Sequence, residues 1–275
     1  MAVDLTPVQF VVAALAAGCI GVVGAMAGVG GGFLLVPVLL LLFPDWAPAS
    51  ITSVSLTAVL MNALLSARVY ARRGLLDRRT ALVLGSTAVP AAVGGASVTV
   101  GVPRGAFEFS FGLLMLVVAG LFAWRALREM NEDPSRTPRA NRDFSDRTGH
   151  HYRYRVPERL AVVVSPLAGF TSAFFGIGGG VLQMPIMVLA LRVPVRVAVG
   201  TAHSVLVATT ATAMVVLAVA GHLLDAWPLA LAAGAASMTG GFVGTRLAPL
   251  VSPRAVLWLL TAALVAAAAR QLLAA

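Results

Sequence analysis

Lysine is absent from these 275 residues, cysteine occurs once, and charged side chains make up only 11% of the chain. Soluble domains carry roughly 25% charged residues, so the scarcity of charge excludes an ordinary water-facing globular surface. A single cysteine, Cys19, excludes an intramolecular disulfide framework and any multi-cysteine metal cluster. It also excludes a relay of several thiols along a path. No cofactor motif is present: the glycine-rich runs lack the Gly-Lys-Ser/Thr ending of a phosphate-binding loop and have no soluble βαβ setting. Acidic residues are also scarce, and the net charge is +9. In a soluble chain that excess would suggest nucleic acid. Here the arginines are confined to a few loops, which argues against a nucleic-acid partner and for orientation in a bilayer.

Long apolar runs fill the rest. Hydrophobic residues reach 59% and the mean hydropathy is +0.91. Stretches such as Ala49–Ala67, Ala81–Val100 and Ala255–Ala269 are almost free of charge, and runs of about 20 such residues match the roughly 30 Å hydrocarbon core of a bilayer. The expected fold class is an all-α polytopic membrane protein. Residues 1–125 and 159–275 form two membrane repeats of one integrated membrane domain, and 126–158 form a charged linker. The linker reads as solvated, and disordered over 131–151, because it is rich in charge, Pro and Asn.

The two halves superpose without gaps at an offset of 148 residues. Gly28, Gly30, Gly31, Gly32, Leu34 and Pro37 match Gly176, Gly178, Gly179, Gly180, Leu182 and Pro185; Ser53 falls on Thr201, and Asp77 on Asp225. Arginine sets the orientation. Arg68, Arg72, Arg73, Arg78 and Arg79 crowd one loop and eight more arginines lie from Arg128 to Arg159, so both regions, including linker 126–158, are expected to be cytoplasmic. Arg104 and Arg270 are left outside. The first repeat then begins outside and the second inside, an inverted-topology pair of the kind that recurs in transporters. Each repeat is expected to hold one Gly-broken re-entrant helical hairpin plus about three spanning helices.

The apolar segments 33–43 and 181–191 are about 11 residues, or ~16 Å as helix, too short to span comfortably. Each reads as the return limb of a hairpin whose turn is the glycine run. Non-helical backbone at that depth persists only when buried in protein or facing a wet cavity. Helix starts present unpaired N–H groups and partial positive charge, so two opposed breaks would cradle a small anion without a buried cation. The other reading is that the glycines simply permit close helix packing. The candidate substrate-binding residues are Gly28, Gly30, Gly31, Gly32 and Ser53 in one half, and Gly176, Gly178, Gly179, Gly180, Gln183 and Thr201 in the other. For Ser53 and Thr201 the alternative is a bond to backbone one turn back; for Gln183 it is bracing of the hairpin. His203, inside an apolar segment, is the candidate for a coupling proton, with a structural hydrogen bond as its alternative. Asn62 reads as a helix-to-helix hydrogen bond.

The stretches "GAMAGVGGGFLLVPVLL" and "GFTSAFFGIGGGVLQMPIMVL", followed by "ITSVSLT" and "AVGTAHSVL", resemble the TauE/SafE (sulfite exporter) family of membrane permeases, and the likeness covers both halves. It implies transport of sulfite, an organosulfonate or a related organic anion across the cytoplasmic membrane. His203 departs from the family, whose members more often have serine or an apolar residue there. The expected function is a secondary transporter moving a small anion by alternating access, with the lipid bilayer and a coupling proton as its other partners. A passive anion channel through the same cavity is the alternative. An intramembrane enzyme pairing Ser97 or Ser204 with His203 or His222 has no nucleophile motif to support it.

Overall fold

The computed structural model describes residues 6–127, 140–251 and 253–274. Thr6 opens α1 (Pro7–Ala27) through a capping box with Gln9 and a proline at the first helical position, and left-handed Gly28 ends it. The short α2 (Gly32–Leu42) follows, then α3 (Pro48–Arg72), α4 (Arg78–Thr99) and α5 (Arg104–Leu127). The second half runs α6 (Glu158–Phe175), α7 (Gly180–Pro185) continued by a π turn over Ile186–Ala190, α8 (Val195–Val219), a single turn α9 (His222–Asp225), α10 (Trp227–Leu247) and α11 (Pro253–Ala274). The 148-residue offset carries α2 onto α7 and its π turn, from Gly32 to Gly180 and from Leu42 to Ala190. Among the described residues six helices, α1, α3, α4, α5, α6 and α8, are long and apolar enough to cross a membrane. Leu82, Leu113, Leu167 and Val215 point outward from them. This is a multi-pass membrane protein.

The halves are interlocked. α4 packs on α6 and α8, while α10 packs on α1 and α3; α3 meets α8 and α5 meets α11. Exchanging the two halves maps this set of neighbours onto itself. Each half therefore lends a helix to the other. Small residues make the crossings possible, as expected where lipid supplies no hydrophobic drive between helices. A Cβ on Gly169 would collide with the Ala88 carbonyl, one on Gly95 with that of Phe170, one on Gly240 with that of Gly18, and one on Gly244 with that of Val22. Asn62 ties three helices together. Its amide donates to the carbonyls of Gly21 (2.9 Å) and Ser237 (3.0 Å), and its oxygen accepts from Ser66 (3.2 Å).

Contacts between helix ends fix how the elements run. Gln9 near the start of α1 donates to the Leu42 carbonyl at the end of α2 (2.9 Å), so α2 folds back along α1 as a hairpin. Arg104 at the start of α5 clamps the same end, donating to the carbonyls of Leu40 (2.7 Å), Phe43 (3.0 Å) and Trp46 (3.1 Å) while paired with Glu108 (2.8 Å). The Thr99 hydroxyl at the end of α4 donates to the Phe174 carbonyl near the end of α6 (2.7 Å). Elsewhere, Arg73 after α3 caps the Thr245 carbonyl near the end of α10 (3.2 Å), and Arg79 in the first turn of α4 pairs with Glu158 at the start of α6 (2.9 Å).

The linker departs from the expectation of solvated disorder. Residues 128–139 lie outside the described residues, but Arg142–Ser145 (β1) and His151–Tyr154 (β2) form an antiparallel hairpin. It is docked by charge. Asp77 caps α4 at the Thr80 amide (3.0 Å), receives the Tyr154 hydroxyl (2.7 Å) and pairs with Arg142 (3.0 Å), whose far nitrogen reaches Glu158 (2.9 Å). Burial, reinforced by the Asp77 charge, pushes the Tyr154 phenol far above its usual range and keeps it a donor. A charged stretch escapes disorder here because its ions find buried partners on the helices. At the tip, the Thr148 hydroxyl and the amides of His150 and Thr148 hold the Asp146 carboxyl below the usual range.

Two stability measurements check this packing. Gly169→Ala lowers the apparent melting temperature in detergent, at a cost of about 1–3 kcal/mol for overpacking a helix crossing, whereas Gly85→Ala, with nothing within 4 Å of its Cβ, leaves it unchanged or slightly higher. Asp77→Ala removes the α4 cap and the principal buried partner of Arg142, at a cost of about 3 kcal/mol, and exposes the hairpin to limited proteolysis.

Candidate functional site

Both glycine breaks fold with the same backbone. Gly28, Gly30 and Gly31 have φ of 76°, 80° and 84°, and Gly176, Gly178 and Gly179 have φ of 71°, 74° and 64°. These left-handed conformations admit glycine at no steric cost. The two breaks meet. An ideal Cβ on Gly32 would lie 2.7 Å from the Gly176 carbonyl oxygen and 2.9 Å from the Ile177 carbonyl carbon; one on Gly180 would lie 2.6 Å from Val29 Cα. Backbone therefore rests on backbone across the two halves. Val59 of α3 wedges beside Gly30, Gly32 and Gly178, and Leu206 of α8 covers Gly30. In this conformation the glycines serve close packing, and the gap between the breaks is filled.

Unpaired donors nevertheless collect there. Among the described residues, the amides of Gly31, Gly32 and Phe33 in one half, and of Gly178 and Gly179 in the other, have no backbone acceptor. Around the second break the buried Thr52 and Ser172 hydroxyls and the Gln183 amide nitrogen also lack partners. Ser172 lies against Gly179, and Thr52 against Gly176. Gly179 and Gln183 border a narrow void with Gly169 and Thr209.

The other predicted residues are placed differently. The Ser53 hydroxyl donates to the Ser50 carbonyl (2.7 Å) and to that of His222 (3.3 Å), and Thr201 accepts from the Asp77 amide (3.1 Å). The pair thus pins each long helix to the loop that follows its counterpart. His203 occupies the position equivalent to Ser55, whose hydroxyl donates to the Gly176 carbonyl (2.7 Å). His203 Nδ1 faces the Val199 carbonyl at 2.8 Å, so Nδ1 carries the proton, and its fully buried Nε2 has no partner. Its ring stacks on Tyr70, centroids 5.7 Å apart. Ser97 and Ser204 donate to carbonyls of their own helices, Val93 (2.9 Å) and Gly200 (3.2 Å).

A cavity of about 820 Å³ opens beside the hairpin tip and reaches Val29, between the first two glycines of the first break, and Met184 on α7. Most of its lining is apolar, with Met26, Val29, Phe122, Met184, Val199 and Leu260 among the larger contributors; Tyr70 stands in the wall in front of His203. Arg72, Arg73, Asp146, Arg147 and Arg196 make its charged lining, and Arg196 also bonds to the Tyr152 side chain. Arg73 is engaged as a helix cap. Among the described residues, no carboxylate lies within ion-pair distance of Arg72, Arg147 or Arg196. In the sequence these arginines mark orientation alone, since they come from three separate segments; that they surround one cavity depends on the hairpin, whose Arg147 amide bonds to the Arg73 carbonyl (3.1 Å).

Gly178→Ala places a methyl against Val59 and forces an L-residue to positive φ, the latter alone costing about 1–2 kcal/mol. Folded yield or melting temperature falls, and adding Val59→Ala restores part of the loss, because it relieves the collision and leaves the backbone strain.

Comparison with known proteins places this arrangement. The family model described as sulfite exporter TauE/SafE matches residues 13–271. A probable membrane transporter protein, YunE, of Bacillus subtilis (strain 168) is 29% identical over 234 residues, covering 82% of this chain and 84% of the relative. A probable membrane transporter protein of Xylella fastidiosa (strain 9a5c) is 30% identical over 231 residues, covering 84% and 82%. The archaeal relative MJ0441 of Methanocaldococcus jannaschii, also named a probable membrane transporter protein, is 26% identical over 196 residues, covering 70% and 66%. No solved structure matches the chain. With two interlocked halves, paired glycine breaks and a match that runs nearly end to end, the chain belongs to the sulfite exporter TauE/SafE family of membrane transporters.

Proposed function

We propose that the protein is a secondary carrier that moves a small anion, such as sulfite, an organosulfonate or a related organic anion, across the cytoplasmic membrane by alternating access. The observation that carries this reading is the cavity. It is bordered by four arginines, Arg72, Arg73, Arg147 and Arg196, against a single carboxylate, Asp146, and it reaches the glycine breaks at Val29. An excess of cations over carboxylates in a cleft with low-dielectric walls concentrates anions. Beyond the floor lie the free amides of both breaks and the unpartnered Thr52, Ser172 and Gln183 groups. When the breaks part, these donors take over an anion delivered by the arginines, so that Gly28, Gly30–Gly32, Gly176, Gly178–Gly180 and Gln183 become its seat. Ser53 and Thr201 hold the ends of α3 and α8 while this happens.

The two halves act as inverted repeats in this scheme. Supporting that, the start of α1 is bonded to the end of α2 near Arg104, whereas the start of α6 is bonded to the start of α4 beside the arginine-rich hairpin. The positive-inside rule then puts the hairpin and linker in the cytoplasm. His203 is the candidate coupling group, since its bare Nε2 lies behind Tyr70 at the cavity wall. A carrier fits better than a continuous channel because the cavity stops at Val29 and Met184.

Proteoliposomes test the reading. Sulfite or a short alkanesulfonate enters saturably and shows counterflow, and Arg72→Gln with Arg196→Gln lowers uptake at low salt by about tenfold, an effect that shrinks as ionic strength rises. Flux equal to that of empty liposomes for every anion tried would remove the proposal.

A further inference from the structure

The two short limbs match in sequence position but not in how they are held. α2 is one continuous helix whose far end is clamped by side chains. Gln9 donates to the Leu42 carbonyl (2.9 Å), and Arg104 donates to those of Leu40, Phe43 and Trp46 (2.7, 3.0 and 3.1 Å) while Glu108 fixes its guanidinium. At the 148-residue offset Gln9 falls on Pro157 and Arg104 on Ser252. Proline carries no side-chain donor, and one hydroxyl cannot reproduce the fork of a guanidinium. The second limb differs in structure as well. α7 gives way after Pro185 to the π turn Ile186–Ala190, a rare geometry that recurs at functional sites. The chain then leaves through Arg192 at φ 55°, a left-handed conformation that L-residues resist. Among the described residues no side chain donates to a carbonyl of 186–192. Backbone bonds alone hold this exit, from the Leu191 amide to Ile186 (3.0 Å) and from the Val193 amide to Met187 (2.9 Å).

α7 also separates two spaces. Met184 lines the large cavity, whereas the preceding Gln183 borders the narrow void with Gly169, Gly179 and Thr209. Neighbours on a helix point about 100° apart, so this single stretch of helix is the partition. The void side holds unmet donors. The Gln183 amide nitrogen and the Ser172 hydroxyl, which lies against Gly179, are buried without partners, and the void is too narrow to admit a water. Buried donors are costly to leave unmade, and a shift of the limb toward the cavity gives the Gln183 amide access to partners. We propose that α7 with its π turn is the moving limb of the site, pivoting at the left-handed Gly176, Gly178 and Gly179 and turning Gln183 from the void into the large cavity, while α2 stays clamped. The inference rests on the carrier reading above and assigns its motion to one limb.

Hydrogen exchange on the full chain in nanodiscs, read by mass spectrometry, compares the matched limbs. Amides over 186–190 exchange at least about tenfold faster than those over 38–42, as a segment that opens locally does. Arg104→Gln removes the clamp and brings 38–42 up toward the α7 rate. A second measurement uses thiol accessibility in a Cys19→Ser background. Gln183→Cys reacts with the small water-borne reagent 2-sulfonatoethyl methanethiosulfonate, and the matched Leu35→Cys reacts at least about tenfold more slowly. Equal rates at the two limbs in either measurement, or faster ones at α2, overturn the inference, and saturable sulfite flux then leaves the carrier reading standing. Rates that differ as stated, in a protein that carries none of the anions tried, remove the carrier reading and keep the motion.

Discussion

Backbone resting on backbone, Gly32 against the Gly176 carbonyl and Gly180 against Val29, is the contact that the rest of the structure is arranged to permit. A bilayer offers no water to satisfy an interrupted helix, so non-helical backbone must be enclosed by protein. The enclosure here comes from both halves at once. α3 and α8 cross beside the breaks and supply Val59 and Leu206 as lids, while α5 lays Phe107 and Phe111 against Phe175 at the end of α6, with ring centroids 5.5 and 5.3 Å apart. The exchange of α4 and α10 between the halves follows from the same demand. If each half kept its own helices, the two breaks would be enclosed separately and could not touch.

Much of this was legible in the sequence because it depends on residue types with few substitutes. Left-handed turns need glycine, so Gly28, Gly30, Gly31 and their partners announced themselves, and the 148-residue offset survives to the bounds of individual helices. Asn62 was legible for a related reason: an amide in an apolar helix has to find partners on neighbouring helices. The pairing of distant helices was not legible. It is decided by where Gly95, Gly169, Gly240 and Gly244 let backbones approach, and such small residues are spread through every segment. Nor could the roles of Ser53 and Thr201 be separated from the breaks, because their partners, His222 and Asp77, lie far away in the sequence.

The linker shows how composition alone misleads. Its charge and proline content favour solvation, but three of its residues are specific to one place. Arg142 and Tyr154 converge on Asp77, and Glu158 completes the chain to Arg79. A buried ion pair is weak support for stability in general, since desolvation consumes most of the attraction. It is strong support for position, because moving Arg142 elsewhere would leave Asp77 buried without its ion-pair partner. The ions thus fix the hairpin in one register, and the hairpin in turn sets Arg147 at the cavity opening beside Arg73 and Gly74.

The two breaks are equal in backbone and unequal in surroundings, and this inequality bears on how a two-fold scaffold handles one substrate. Beside the second break stand Thr52, Ser55, Ser172 and Gln183; at matching positions beside the first stand Gly200, His203, Gly24 and Leu35. Unpaired amides stand at both breaks, but the unpartnered side-chain donors, Thr52, Ser172 and Gln183, lie at the second. An ion held there would sit off the two-fold axis, closer to α6 and α7 than to α1 and α2. Histidine in place of Ser55 gives the first break an imidazole whose Nε2 has no partner. On the carrier reading, the symmetric backbone supplies the hinge, and the asymmetric side chains divide the work: donors for the anion at one break, a proton acceptor at the other.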